Sequence, residues 1–65
     1  MRSDLTDIEV IFQTETERAV CVRDAEGGTD VWIPKSLCEV EGDRLRGRTV
    51  TLTASERLLT EKGLV

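Results

Sequence analysis

Apolar side chains recur at every second position along most of the chain, the spacing of strands that bury one face. Ile8, Val10 and Phe12 alternate with Glu9, Ile11 and Gln13, which predicts a first strand with an apolar face and a partly apolar reverse. Residues 18–23, Arg-Ala-Val-Cys-Val-Arg, predict a second strand, and Asp30-Val31-Trp32-Ile33 its return. Gly27-Gly28 between them can adopt positive φ at little cost, as a reversing connection requires. Pro34 ends the return strand because it has no N–H for a ladder. Leu37-Cys38-Glu39-Val40-Glu41 alternates again and meets a turn at Gly42-Asp43. Arg48–Leu52 predicts a last strand, with Val50 and Leu52 on one face and threonines on the other.

The period then changes. Thr53, followed three residues later by Glu56, has the spacing of a capping box, and Leu58 and Leu59 fit a short amphipathic helix over residues 54–62. Lys62 falls where a cation favours the helix dipole, and Gly63 supplies a left-handed cap that would return Leu64 onto Leu59. So short a helix does not persist alone and must dock. The expected fold is α+β: a small antiparallel sheet of four to five strands with one short C-terminal helix. Its expected core is Val10, Phe12, Val20, Val22, Val31, Ile33, Val50, Leu52, Leu58 and Leu59. A second face bearing Ile11, Cys21 and Trp32 would be covered by a homodimer or partner, or by curling of the sheet into a barrel-like form.

At 65 residues the chain is one domain, expected to span residues 1–65 with residues 1–5 flexible. Aromatics are confined to Phe12 and Trp32, so the core is aliphatic and thin. The net charge of −4 is uneven: residues 1–30 carry −5 and residues 31–65 carry +1. An acidic chain is a poor nonspecific ligand for nucleic acid or for an anionic membrane. No apolar run approaches the roughly 20 residues of a membrane helix, and the first ten residues lack a signal-peptide core, so a cytoplasmic protein is expected.

The residue types for most catalysis are missing. With no histidine the commonest general base is absent, and Cys21 and Cys38, seventeen positions apart, form neither a redox nor a zinc motif. Buried free thiols are the simpler reading of both. Gly27-Gly28 and Lys35-Ser36 lack the pattern of a phosphate-binding loop. A non-enzymatic protein without metal or cofactor is therefore expected.

Three features suit binding instead. Glu15, Glu17, Asp24, Glu26 and Asp30 cluster around two loops, where they would either present a row of carboxylates or simply solvate the surface. Trp32, opposite in face to Val31 and Ile33, would serve as an interface anchor or cover the second face of the sheet. Arg44, Arg46 and Arg48 alternate with Leu45 and Gly47, and in an extended segment would project together. With Lys35 they would then contact nucleic acid or an acidic partner, unless they pair with Glu39, Glu41 and Asp43 across a hairpin.

Glu15-Thr16-Glu17-Arg18-Ala19, Val31-Trp32-Ile33-Pro34-Lys35-Ser36 and Glu61-Lys62-Gly63-Leu64 together resemble a group of small phage and prophage proteins of uncharacterised function. The likeness covers about residues 13–40 and the C-terminal tail. Arg18 stands where Lys is usual, and Leu37-Cys38 replaces Gln followed by an aliphatic residue. The resemblance implies a mobile-element setting rather than an activity. Short acidic proteins in that setting often inhibit host defence complexes, anti-CRISPR proteins among them. The leading expectation is thus a non-enzymatic phage or mobile-element protein that acts in the host cytoplasm, binding and inhibiting a host nucleic-acid-handling protein or ribonucleoprotein defence complex through an acidic, DNA-like surface. The alternatives are a small nucleic-acid-binding module using Lys35, Arg44, Arg46 and Arg48, and a homodimeric structural protein.

Overall fold

A computed structural model describes residues 4–25 and 28–64. Five strands, β1 (Leu5–Glu15), β2 (Ala19–Asp24), β3 (Asp30–Pro34), β4 (Cys38–Glu41) and β5 (Thr49–Ser55), form one antiparallel sheet in the order β3-β2-β1-β5-β4. A single 3₁₀ turn, Lys35–Leu37, joins β3 to β4, and helix α1 (Glu56–Glu61) follows β5. The expected α+β class and strand count are therefore observed. Of residues 1–5, expected to be flexible, two are built into the fold: Leu5 opens β1, and the Asp4 carbonyl accepts a hydrogen bond from Glu56 N–H at 2.9 Å. Residues 1–3 lie outside the described residues.

Topology curls the sheet. Laid flat, five strands would hold β3 and β4 about 19 Å apart at the usual strand spacing. A 3₁₀ turn rises only about 2 Å per residue, so three residues cannot bridge that gap. The two edges are therefore drawn toward one another, and the inner faces of all five strands share one core. That core comprises Val10, Phe12, Val20, Val22, Ile33, Val50, Leu52, Ala54 and Leu59, with Val31, Cys38, Val40, Leu58 and Leu64 packed against it. Val31 and Leu58, expected in the core, are only partly buried, and Ala54 is an unexpected member.

β1 changes face along its length. The register with β2 slips between Phe12 and Thr14, so Gln13 is the extra residue of a bulge. Before the bulge, Val10 and Phe12 point inward; after it, Glu15 lies opposite the inward Val20. One inserted residue thus swings a carboxylate to the inner mouth of the curled sheet. The backbone of the β4–β5 loop joins β1 here, through Phe12 N–H to the Arg48 carbonyl and Gly47 N–H to the Phe12 carbonyl.

The helix begins later than the capping-box spacing predicts. β5 runs on through Thr53 to Ser55, whose hydroxyl accepts from Leu58 N–H at 3.1 Å and caps the helix. The sheet's demand for Thr53 overrides the local signal. Thr53 instead donates to Asp7 Oδ1 at 2.7 Å on the outer face. At the other end the expected cap forms: Gly63 takes φ +75°, Gly63 N–H donates to Thr60 and Leu64 N–H to Leu59. Leu59 is fully enclosed and attaches the helix to the sheet.

Candidate acidic binding face

The acids and bases singled out from the sequence are not gathered on one flank. Glu15, at the inner mouth, accepts from Lys35 Nζ and Arg44 Nη1, both at 2.8 Å. These bonds, chiefly the one from Lys35, hold its carboxyl below the usual glutamate range against the opposing effect of desolvation. Asp30 lies on the outer face of β3, 2.7 Å from Arg23 Nε, and that hydrogen bond lowers its carboxyl in the same way. Glu17 is exposed in the β1–β2 turn, and Asp24 ends β2 opposite Val10. Glu26 lies outside the described residues. Of the proposed row, Glu15 and Asp30 are thus ion-paired on opposite faces, Glu17 lies in the β1–β2 turn and Asp24 at the end of β2.

The arginine row is likewise dispersed. Residues 44–48 form a turn rather than an extended strand. Arg44 is committed to Glu15, whereas Arg46 lies close enough to Asp30 and Cys21 to act on both electrostatically. Neither Arg44, Arg46 nor Arg48 makes an ion pair with Glu39, Glu41 or Asp43 among the described residues. Lys35, also considered for nucleic-acid contact, is engaged with Glu15.

Trp32 sits on the outer face of edge strand β3, 46 % exposed and directly opposite Cys21. Cys21 is buried and Ile11 half-buried, so the apolar outer surface that suggested a dimer shrinks largely to this one ring. The two cysteines are free and on opposite faces: Cys21 points outward and Cys38 inward. Burial raises both thiols above their usual range.

Sheet register creates a different acidic surface. On the outer face of β4-β5-β1, Glu39 lies across from Thr53 and Thr53 from Asp7; one row on, Glu41 lies across from Thr51 and Thr51 from Glu9. Four carboxylates therefore flank a threonine stripe, about 7 Å apart along each strand and about 10 Å apart across it. Each is exposed, and none makes an ion pair among the described residues. Those spacings are within or near one Debye length of about 8 Å at physiological salt, so neighbouring charges are only partly screened from one another. Beside this face, at Glu39 and Thr53, opens a groove of about 760 Å³ lined by the exposed Leu5 and Leu37 and by Leu58 and Arg57.

No known family, curated protein or solved structure matches the chain. Among the described residues no group of three or more potential metal ligands occurs and no helix is long and apolar enough to cross a membrane.

Proposed function

We propose that this is a non-enzymatic binding protein of a phage or other mobile element. Its acidic sheet face would compete with nucleic acid for a basic groove on a host nucleic-acid-handling defence complex. The observation that carries the reading is the set Asp7, Glu9, Glu39 and Glu41, four exposed carboxylates without an ion pair among the described residues, held in register by one sheet. Like charges so placed repel one another, and a cationic partner relieves that repulsion while steering its own approach. The outer threonines keep the face polar between the carboxylates. Trp32, on the same outer surface but at the far edge, supplies an aromatic contact for a partner broad enough to reach it.

The test is displacement. A host complex captured with the tagged protein is loaded with fluorescent DNA, and the protein is titrated in at rising salt. Displacement is expected to weaken steeply with salt, and combined Asp7→Asn, Glu9→Gln, Glu39→Gln and Glu41→Gln substitution to cost at least about tenfold in potency. Equal potency for that variant would refute the reading.

A further inference from the structure

The free edge of β4 offers a second mode of recognition, which rests on the acidic-face reading and gives its partner a shape. Among the described residues β5 is the one strand that pairs with β4, and a cleft of about 320 Å³ separates the other edge of β4 from β2, with Val20, Cys38 and Val40 along it. Backbone direction at this edge follows from the 3₁₀ turn. Cys38 N–H closes that turn onto the Lys35 carbonyl, so the Cys38 peptide groups face away from β5. Alternation in an antiparallel ladder then directs Glu39 and Glu41 to β5 and turns Val40 N–H and C=O into the cleft. The same alternation carries through the sheet: Phe12 N–H reaches across to Arg48 on the side of β1 that faces β5.

The cleft therefore receives two carbonyls, of Cys38 and Val40, and one N–H, of Val40. Neither backbone group of Val40 has a hydrogen-bond partner outside the strand ladder among the described residues. An unpaired edge of this kind is a template for an added strand. The opposite edge is poorer. Lys35 N–H donates to Arg18, which by the same alternation turns Pro34 to the open side of β3, where it has no N–H to offer.

Side chains of β4 define what the added strand must carry. Its outward residues would stand beside Glu39 and Glu41, three strands from Asp7 and Glu9, and its inward residues beside Cys38 and Val40. Cross-strand pairing favours opposite charge at the former and aliphatic contact at the latter. Lys35 and Arg44 also line the cleft, but both are engaged with Glu15. We infer that β4 accepts, by strand addition, an extended segment of a partner protein in which Lys or Arg alternates with aliphatic residues.

The probe is a short fluorescent peptide alternating Lys and Val, followed by anisotropy. It is compared with a peptide of the same composition in separate Lys and Val blocks, and with an alternating peptide N-methylated at every second residue. N-methylation retains every charge and removes ladder donors. The alternating peptide is expected to bind at least about tenfold more tightly than either control and to slow exchange of the Val40 amide. Equal binding of all three peptides, with Val40 exchange unchanged, would overturn strand addition yet leave the acidic face intact as a cation-binding surface. Failure of every peptide to bind would refute both.

Discussion

Leu59→Ala is the perturbation that most sharply probes how the helix is held. Leu59 is fully enclosed, and it is the only residue of α1 that is. Removing a buried leucine side chain costs about 2–5 kcal/mol, the upper part of that range applying where the site cannot collapse. A six-residue helix has no stability of its own, so most of what holds α1 in place passes through this contact and its partner Leu58. A domain of this size has only about 3–10 kcal/mol in total. The expected loss of about 3 kcal/mol would lower the melting temperature by more than about 12 °C. Urea denaturation followed by circular dichroism measures the loss, and amide exchange locates it: Leu58, Lys62 and Leu64 N–H should lose protection before the β1–β5 ladder does. A loss below about 1 kcal/mol, or unchanged protection in α1, would show that the helix is held elsewhere.

Other consequences follow from single contacts. Ser55→Ala should cost about 1 kcal/mol in thermal unfolding through the lost cap, and Thr53→Ala less than half of that; the reverse order would restore the capping-box reading. Gly42 sits at φ +126°, and an added Cβ would lie 3.2 Å from Val50 Cγ1, so Gly42→Ala should destabilise by about 1–3 kcal/mol in the same assay, and no change would mean the turn relaxes freely. The Glu15 carboxyl is lowered by Lys35 and Arg44, so its contribution to stability is complete above the ordinary glutamate value of 4.5 and is lost as pH falls through the lowered one. The stability deficit of Glu15→Gln, read from urea midpoints across pH, should therefore shrink toward zero in acid; a deficit independent of pH would contradict this assignment.

Much of the fold was legible in the alternation itself. Val20, Val22 and Ile33 announced the β2–β3 hairpin, and Gly63 with Leu64 announced the end of the helix, because those signals are local. Thr53 misled because its local capping pattern competed with a place in the sheet, and pairing with both Asp7 and Glu39 prevailed. The Gln13 bulge left no mark in the hydrophobic pattern, yet it alone carries Glu15 from the expected acidic flank to the inner mouth. The binding face was half visible. Asp7 and Glu9, Glu39 and Glu41, and Thr51 and Thr53 each occupy the polar positions of an alternating segment. What periodicity does not contain is strand order, and only β5 standing between β1 and β4 makes those three short patterns one surface.

That surface can be tested without knowing the partner, by comparing two variants of equal net charge on an anion-exchange column. One neutralises Asp7, Glu9, Glu39 and Glu41; the other neutralises Asp4, Glu17, Asp43 and Glu61, four exposed acids from separate parts of the molecule. If the register gathers the first four into one negative field, that variant elutes at distinctly lower salt than the second. Coincident elution would mean that the face carries no more field than scattered charges do, and would contradict the account.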